Sequence, residues 1–314
     1  MYNESQKSRF MDERNSEVTL AENYLQRLFV DLEPYEEELG KDISQFTTKE
    51  ILNYFKVKNM RSLDLINNYN SQLSAYTQWC LEQNLVPDGI NHFMELNQDV
   101  LNTCVNRAAM ANTIMSRERV LEIASEMKNP RERFVLLMLF ETGNSKHFSN
   151  IFYAKPEDFD FDKKILHTYE GRTVDVSDEL IHIVRRCIEE DTFIIYKQGG
   201  RNEFQTQRKL INRGYVYKET ETVQVFTDTK IMTNRLQGGM KEAFKYIGLL
   251  SWTKLNAFAE SGLIWDIKQA AMKNDLTISE VLRNIEIRNK ILYQHNYKGK
   301  FSPKQFMRKY GDYL

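Results

Sequence analysis

The most strongly patterned stretch of the chain runs from Pro130 to Leu180. Charged residues open it, an unbroken apolar run follows at Phe134–Phe140, and Thr142–Gly143 comes next. The apolar run predicts a buried helix. The glycine is expected to end that helix, because glycine is favoured just past a last helical turn. A second short helix is predicted over Lys146–Ala154.

The residues after these two helices predict a β-hairpin. Two short strands, Phe159–Thr168 and Thr173–Val176, flank the polar residues Tyr169–Arg172, which are expected to form a tight turn. Ser177–Glu179 then predicts a helix start, because a serine followed by acids satisfies the free amides and meets the positive end of the helix dipole. The predicted order is helix, corner, helix, hairpin and capped helix.

Helical spacing also dominates the first third of the chain. Met1–Asn15 is polar and is expected to be frayed, whereas Thr47 with Glu50 three residues later indicates a helix start. The helices predicted here are Leu20–Phe29, Lys49–Phe55, Arg61–Leu81, Ile90–Leu96 and Asp99–Arg107, with an acidic connector over Asp31–Asp42.

The helix predicted over Arg61–Leu81 has two different faces. Its apolar face includes Leu65, Leu73 and Tyr76. The opposite face is small, polar and uncharged, and consists of Asn67, Asn68, Asn70, Ser71 and Ser74. Such a face can bond base edges and phosphates without burying an unpaired charge. A solvated face with no ligand is the alternative interpretation.

The second half of the chain predicts more helices around a polar insertion. Lys197–Tyr217 is rich in Lys, Arg and Gln, and Gln207–Leu210 is predicted to be the middle of a basic helix or turn. Val223–Phe226 predicts a short strand. Further helices are predicted at Thr233–Gly248, Leu255–Ala259, Leu263–Met272 and Ile278–Ile291, before a basic, aromatic tail at Lys298–Leu314.

The composition is that of a globular protein. A length of 314 residues suits two domains, 41% hydrophobic residues can build cores, and only 13 Gly and 5 Pro favour a mostly helical chain. No apolar run approaches the ~18 residues needed to span a bilayer, and the first ten residues lack a signal-peptide pattern. A cytoplasmic protein without a membrane partner is therefore expected. The three distant cysteines predict reduced thiols.

The net charge of −1 conceals an uneven distribution. Residues 1–50 hold twelve acids and six bases, residues 192–250 hold ten bases and five acids, and residues 283–314 hold eight bases and two acids. A basic rear half can carry a DNA-binding surface within a neutral total. Ordinary solvated helix faces would give the same counts.

Several classes of chemistry have no support in the sequence. The five histidines are scattered without metal-ligand spacing, and there is no P-loop, GxGxxG or HExxH motif. Neither a metal nor a cofactor is therefore predicted.

The order of elements in Pro130–Leu180 resembles the catalytic domain of the tyrosine recombinase (phage integrase) family. The matching segments are LFETG, PEDFDF and RTVDVSDEL, and SLDLINNYNSQLSAYTQWCLEQNLV resembles the helical core-binding (SAM-like) domain that precedes it. The resemblance implies a mainly α fold with a small β-sheet. It also implies a flexible N-terminal arm (1–20), a core-binding DNA-binding domain (21–107), a linker (108–116) and an integrase-like domain (117–314).

The family's catalytic residues are largely missing at the matching positions. Family members cleave DNA with a tyrosine hydroxyl and hold the phosphate with two arginines and a lysine from the strand turn. Ser145 stands at the first arginine position with Lys146 beside it, and the turn Tyr169–Arg172 has no lysine. The loss of each preorganised contact costs on the order of 3 kcal/mol, so turnover is not expected.

The remaining catalytic positions are also altered. The family's HxLRH motif is absent from LLSWTKLNAFAESG, where Ser251 or Lys254 takes the arginine position, and its later GH is absent from WDIKQAAMKNDL. The nucleophile region NKILYQHNY offers Tyr293 or Tyr297. Tyrosines are common in this chain, so packing or surface roles for both are the simpler interpretation.

These observations favour a sequence-specific DNA-binding repressor on a catalytically inactive recombinase scaffold. The overall pattern further resembles the recombinase-like repressors that maintain lysogeny in SPbeta-type Bacillus prophages. Two alternatives stay open. One is an active, divergent recombinase that uses Tyr293 or Tyr297 with arginines such as Arg172 or Arg235. The other is a helical protein-interaction module with no DNA role.

The expected partner is double-stranded operator DNA, contacted by both domains. The predicted contacts are Arg61, Ser62, Asn67, Asn70 and Ser71 in the first domain and Lys146, Arg172, Arg208, Lys209, Arg213, Arg235 and Lys254 in the second. Because family members often pass a C-terminal segment to a neighbour, self-association through Lys298–Leu314 is a further hypothesis. A regulatory protein partner is another.

Overall fold

The protein is described by a computed structural model that covers residues 1–14, 19–60, 62–108, 113–196, 207–221, 229–249, 254–297 and 299–314. The strand predicted at Val223–Phe226 lies outside these residues. The chain forms two compact units, Met1–Asn112 and Thr113–Leu314, each with its own hydrophobic core.

The helices of the first unit are α1 (Glu4–Arg14), α2 (Thr19–Leu39), α3 (Thr48–Val57), α4 (Leu63–Glu82) and α5 (Gln98–Asn102). Those of the second unit are α6 (Arg117–Glu126), α7 (Pro130–Thr142), α8 (Ser149–Phe152), α9 (Asp178–Glu189), α10 (Thr229–Tyr246), α11 (Leu255–Asn274), α12 (Ile278–Arg283), α13 (Ile285–Gln294) and α14 (Pro303–Tyr310). Its strands are β1 (Phe159–Asp160), β2 (Ile165–His167), β3 (Thr173–Asp175), β4 (Thr192–Ile194), β5 (Gln207–Ile211) and β6 (Glu219–Thr220).

Helix α1 corrects the expectation of a frayed, flexible arm over residues 1–20. It buries Lys7, Phe10 and Met11, which lie on one helical face. The Lys7 ammonium donates to both carboxylate oxygens of Glu36, one of them at 2.6 Å, and lies 3.8 Å from the carboxylate of Asp42. The hydrophobic pattern did not predict this helix, because one of its three buried residues, Lys7, is charged. Its partner Glu36 is distant along the chain.

Helix α2 runs through most of the stretch that was expected to be an acidic connector. Its buried face begins with Leu25, continues through Leu32 and ends with Glu36, one turn later. The paired carboxylate of Glu36 therefore occupies a core position that the pattern assigned to solvent. Pro34 lies within the helix, and Gly40, with a φ of +65°, follows its end.

The segment Ile90–Leu96 forms turns instead of the predicted helix. The Asn91 Nδ2 donates to the carbonyl of Ser74 at 3.0 Å, and the Asn70 Nδ2 donates to the carbonyl of Phe93 at 3.3 Å. These amide contacts hold the segment against α4 while Phe93 enters the core. Part of the polar face predicted for α4 is therefore covered by the protein itself.

Helix α7 lies at the centre of the second core, and all of its residues from Phe134 to Phe140 are buried, as predicted. Helix α11 packs directly against it. Gly262 permits this approach, because a Cβ atom there would lie 1.6 Å from the carbonyl oxygen of Phe140. The predicted cap at Ser177 is also confirmed, since its side chain accepts from the amide of Leu180 at 3.2 Å.

Two three-stranded antiparallel sheets complete the second unit, in the orders β1-β2-β3 and β4-β5-β6. The strand predicted over Phe159–Thr168 is divided by a turn, in which Asp160 accepts from the amide of Lys163 at 2.9 Å and Lys164 has a φ of +57°. The segment Gln207–Leu210, predicted as a helix or turn, belongs to strand β5. The mainly α fold with small β-sheets is confirmed.

The C-terminal tail packs against its own unit. Phe306 and Tyr310 of α14 are buried, and the rings of Phe301 and Phe306 lie 5.5 Å apart. The Lys309 ammonium lies 3.2 Å from the Glu260 carboxylate of α11. Self-association through this segment therefore stays a prediction.

No helix in the described part of the chain is long and apolar enough to cross a membrane. Among the described residues, no cluster of three His, Cys, Asp or Glu side chains could hold a metal ion. Cys80, Cys104 and Cys187 are buried free thiols.

Candidate nucleic-acid interface

The corner after α7 holds Ser145 in the place of the family's first catalytic arginine. Gly143 forms the corner with a φ of +74°, and a Cβ atom there would lie 1.8 Å from the carbonyl oxygen of His295. Ser145 is 7% exposed, and its Oγ accepts from the amide of Asn150 at 3.0 Å. This side chain fixes the local backbone, and its short reach and lack of charge give it no arginine-like function.

The β2–β3 turn presents a carboxylate where the family has a lysine. One oxygen of Glu170 accepts from Asn296 Nδ2 at 2.7 Å, and the other accepts from the amide of Lys146 at 3.4 Å. The amide of Glu170 in turn donates to Asn150 Oδ1 at 3.2 Å. The turn is therefore bound to the corner and to the end of α13 through a negatively charged group.

Arg172 is held inside the second unit, although it was predicted to contact DNA. It is 8% exposed, and its Nη1 donates to the carbonyls of Tyr293 and Gln294, both at 2.8 Å. Its Nη2 donates to the carbonyl of Thr142 at 3.3 Å. Burial lowers the pKa of the guanidinium from its usual value. The charge faces the carbonyl ends of α7 and α13, which favours a cation there, and it does not face solvent.

Both candidate nucleophiles are exposed, and neither hydroxyl is hydrogen-bonded to a base among the described residues. The Tyr293 side chain is 51% exposed, and its hydroxyl accepts from the amide of Thr173 at 3.1 Å. Tyr297 is 45% exposed, and its ring packs edge-on against Phe301 at 5.5 Å. Activation of a tyrosine needs a neighbouring base or cation. The Tyr293 hydroxyl accepts from a backbone amide, and the cation that interacts with it electrostatically, Arg172, already donates to backbone carbonyls.

Two lysines that were predicted at or beside the positions of the family's arginines are exposed. Lys146 lies between Ser145 and the strained pair His147–Phe148, whose φ values are +54° and +56°. Lys254 directly precedes α11. The alternative second-arginine position, Ser251, lies outside the described residues.

The structure brings the Lys146 segment next to helix α10. The hydroxyl of Thr233 on α10 donates to the carbonyl of His147 at 3.3 Å. Arg235, the predicted backbone contact, follows within the same turn of α10 and is exposed. One surface of the second unit therefore includes the corner lysine and the first turns of α10.

The remaining bases predicted for the second unit lie on or beside strand β5. Lys209 is exposed, and Arg208 is half-buried opposite Phe193 on β4. Arg213, in the loop after β5, lies 3.5 Å from the carboxylate of Glu219. A surface ion pair of this kind is weak, so a DNA phosphate can replace the Glu219 carboxylate as the partner of Arg213.

The structure places the predicted DNA contacts of the first unit in different environments. Arg61 lies outside the described residues, and the Ser62 hydroxyl caps α4 by accepting from the amide of Leu65 at 3.2 Å. The Asn70 side chain donates to the carbonyl of Phe93, and this hydrogen bond weakens the expectation that Asn70 contacts a DNA base. Asn67 is half-buried and Ser71 is exposed.

The two units carry opposite net charges. Residues 1–112 hold ten Lys and Arg against seventeen Asp and Glu, and residues 113–314 hold thirty-three against twenty-seven. The first unit is therefore at −7 and the second at +6. An attraction for a polyanion must come mainly from the second unit.

Comparison with known proteins identifies the family. The description of the MrpR N-terminal core-binding domain matches residues 1–82, and that of the MrpR C-terminal catalytic domain matches residues 114–310. The chain belongs to the MrpR family. This pairing of a core-binding and a catalytic domain confirms the resemblance to tyrosine recombinases.

A curated relative comes from Bacillus subtilis (strain 168). The SPbeta prophage-derived uncharacterized protein YopR is 23% identical over 233 residues, which is 71% of this chain and 68% of the relative. Among solved structures, a fragment of the Tn1549 transposon integrase in complex with circular intermediate DNA gives a TM-score of 0.42 at 14% identity, over 96% of this chain and 97% of the other. The integrase from mycobacterium phage Brujita gives 0.34 at 12% identity, over 98% and 96%.

Sequence reasoning missed the polar network that joins the corner after α7 to the β2–β3 turn and to the end of α13. Asn150, Glu170 and Asn296 each bond a different segment of the corner, the hairpin or the end of α13. Glu170 was indicated by the sequence, because an acidic residue occupies the turn in which the family has a lysine. The two asparagines had none, since their partners lie 20 and 126 residues away along the chain.

Proposed function

We propose that this protein is a sequence-specific DNA-binding repressor of a prophage and that it does not cleave DNA. The observation that carries the proposal is that Arg172 is buried and hydrogen-bonded to backbone carbonyls. This arginine lies beside the former catalytic corner, and backbone carbonyls of α7 and α13 already hold its guanidinium. If Arg172 turned to bind a phosphate, the carbonyls at the ends of α7 and α13 would lose their hydrogen-bond donor.

The electrostatics of the corner favour the same conclusion. A lysine in the β2–β3 turn would stabilise the charge that develops on a phosphate under attack. Glu170 has the opposite sign, and at about 4 Å and an effective dielectric constant of about 20 a unit charge contributes roughly 4 kcal/mol. Replacing attraction by repulsion on this scale disfavours cleavage while leaving distant phosphate contacts intact.

DNA binding rests on exposed bases, one at the corner and the others outside it. The exposed bases Lys146, Lys209, Arg235 and Lys254 lie in the second unit, whose net charge is +6. Phosphate contacts by such residues provide most non-specific affinity. Sequence preference requires contacts to base edges, for which the exposed positions of α4, such as Ser71, are candidates.

The regulatory setting is supported by the family and by the prophage origin of its relative YopR. A protein that covers operator DNA without cutting it is suited to repress prophage genes and to maintain lysogeny. We further propose that the protein acts in the cytoplasm, where it reaches the chromosome.

Retention of genomic fragments tests this function. The purified full-length protein is incubated with sheared DNA of its source genome, and the retained fragments are sequenced and titrated at several salt concentrations. The proposal predicts enrichment of a few prophage fragments and an affinity that falls steeply with salt. Uniform retention of all fragments, or no retention at low salt, would contradict it.

A divergent active recombinase remains the second candidate, because the exposed Tyr293 hydroxyl lies against the β2–β3 hairpin. That candidate requires a tyrosine–DNA bond, which the repressor does not form.

A further inference from the structure

His92 lies between two carboxylates in the turn segment that packs against α4. Its Nε2 lies 3.0 Å from Asp88 Oδ2, and its Nδ1 lies 3.0 Å from Glu95 Oε2. An ionised carboxylate only accepts, so both contacts are hydrogen bonds only when both ring nitrogens carry a proton. The geometry therefore fits the charged imidazolium, whereas the neutral ring can donate to only one of the two acids.

The same two acids favour the charged ring energetically. The hydrogen bonds with Glu95 and then Asp88 raise the pKa of His92 above its usual value of 6.5. The amide of Ile90 and the ring of His92 lower the pKa of Asp88, and His92 and the Thr48 hydroxyl lower the pKa of Glu95. Both acids are therefore ionised near neutral pH, where His92 changes its charge.

The helices packed near the ring present uncharged groups to it. Helix α3 contributes the Thr48 hydroxyl, which lies 3.4 Å from Nδ1 and donates to Glu95 Oε2 at 2.9 Å. Among the described residues, none of the charged side chains of α3 and α4 hydrogen-bonds the ring. These side chains are Lys49, Glu50 and Lys56 in α3 and Asp64 and Glu82 at the two ends of α4.

The segment that contains His92 covers polar side chains of α4. Asn91 Nδ2 donates to the carbonyl and the hydroxyl of Ser74, at 3.0 and 3.3 Å, and Asn70 Nδ2 donates to the carbonyl of Phe93 at 3.3 Å. Asn91 is only 8% exposed. The amide oxygens of both asparagines are buried without a hydrogen-bond partner among the described residues.

These contacts leave the covered arrangement with opposing contributions. A polar atom that is buried without a partner costs free energy, which is recovered when the amide oxygens of Asn70 and Asn91 reach water. The ring of Phe93 is 1% exposed, so it holds the segment in the core. Because these effects oppose each other, a modest further contribution, such as that of His92, can decide how firmly the segment is held.

We propose that residues 88–96 form a lid over Asn70 and Ser74 of α4, which is held closed by charged His92 and loosens when His92 is neutral. A group whose pKa is raised in the closed state stabilises that state fully below its usual pKa, and this contribution is lost as the pH rises through the raised value. The lid therefore loosens as the pH rises above about 6.5. A freed Asn70 amide has the donor and acceptor that can bond adenine, and this part of the inference rests on the proposed function.

Hydrogen–deuterium exchange of the full-length protein tests the lid directly. The amides of Met94 and Leu96 donate to carbonyls within the segment, at 3.0 and 3.4 Å, so their exchange reports on its opening. Protection of residues 88–96 is measured at pH 6 and pH 8.5 and corrected for the intrinsic exchange rate at each pH. We expect protection to fall by roughly three- to tenfold at the higher pH, the effect of one or two surface ion pairs. Peptides from α2 should keep their protection, which distinguishes lid opening from unfolding of the unit.

Three variants assign the effect to the ring. His92→Gln carries no charge at either pH, so its lid should be loose at both. Asp88→Asn removes one of the two acids and should keep part of the pH dependence. His167→Gln is the matched control, because exposed His167 bonds the hydroxyl of Thr173 instead of a carboxylate, and it should behave as the wild type does.

Binding of a genomic fragment that the wild type retains tests the link to DNA. At pH 6 the wild type should bind roughly three- to tenfold more weakly than His92→Gln, because only the wild type then has a closed lid. At pH 8.5 the two affinities should agree.

The outcomes separate the lid from the proposed function. If protection of the wild-type segment is the same at both pH values, or if His92→Gln keeps the difference, there is no such lid, whether or not DNA binds. If exchange follows the expectation but the two proteins bind DNA equally at pH 6, the lid does not control a DNA contact and that part of the inference is wrong. If the wild type retains no fragment, the proposed function is wrong, and the exchange result still decides whether the lid exists.

Discussion

Replacement of Arg172 by alanine should strongly destabilise the second unit, contrary to what a surface DNA contact would predict. The guanidinium makes three hydrogen bonds to backbone carbonyls, at 2.8, 2.8 and 3.3 Å. Hydrogen bonds from charged groups contribute roughly 1.5–3 kcal/mol each, but the charge also costs free energy to bury. We therefore expect a net loss of about 3–5 kcal/mol, comparable to breaking a buried pair.

The effect is measured by thermal unfolding. About 1 kcal/mol shifts the melting temperature of a domain of this size by roughly 2–4 °C, so Arg172→Ala should lower it by about 6–20 °C. Arg172→Lys should recover only part of the loss, because one ammonium cannot bridge two helix ends as a planar fork does. The exposed Lys146→Ala is the control and should change stability by less than about 0.5 kcal/mol while weakening DNA binding.

The opposite pattern would refute this reasoning. An Arg172→Ala variant that melts with the wild type, but has lost affinity for DNA and part of its salt slope, would make Arg172 a phosphate ligand. The original interpretation of the sequence would then be correct.

Three further predictions concern other residues. Lys7→Met should destabilise the first unit by roughly 3–5 kcal/mol in urea, because it leaves the Glu36 carboxylate buried without its cation; an unchanged midpoint would mean that the Lys7–Glu36 ion pair contributes no net stability. Tyr293→Phe loses one exposed hydrogen bond, so it should cost at most about 1 kcal/mol in a melting experiment and leave the gel-shift affinity within about twofold; a tenfold loss would give the hydroxyl a role in function. Burial raises the pKa of Glu190 from 4.5 to about 7, so its stabilising contribution is complete below pH 4.5 and is lost as the pH rises through 7. In calorimetry, Glu190→Gln should therefore gain stability relative to the wild type at pH 8 but not at pH 4.5, and equal shifts at both pH values would argue against this titration.

The parts of the fold set by local rules were predictable from the sequence. The apolar run Phe134–Phe140 is a buried helix, and Gly143 ends it in a conformation that glycine favours. The predicted caps at Thr47 and Ser177 both accept from amides three residues later. Each of these features depends on residues within a few positions of one another, so a single sequence is sufficient to find them.

Three of the errors share one physical cause, which is pairing between distant polar groups. Lys7 is buried because Glu36 neutralises it, and Asn70 turns inward because a carbonyl of the following segment accepts from it. Arg172 was assigned to DNA because surface arginines bind phosphate, but the carbonyls that hold it come from α7 and from residues more than 100 positions away. Composition and periodicity treat all of these side chains as solvated.

The sequence suggests which of the family's catalytic side chains are missing from the candidate site. It gives much less indication of the contacts that the residues at those positions make. Counting from Gly143 places Ser145 at the predicted position of the family's first arginine, and the structure adds that Ser145 is buried. The use of Glu170 to join the hairpin to the corner depends on contacts that only the folded chain provides.

Native and denaturing gels run in parallel show whether this recombinase-like protein binds DNA without cutting it. A genomic fragment that the protein retains is labelled, incubated with the full-length protein and divided between a native gel and a denaturing gel. We expect a discrete shifted band on the native gel and only intact, protein-free DNA on the denaturing gel. A protein–DNA band that survives denaturation, and that is lost in Tyr293→Phe or Tyr297→Phe, would show a covalent tyrosine link and an active recombinase.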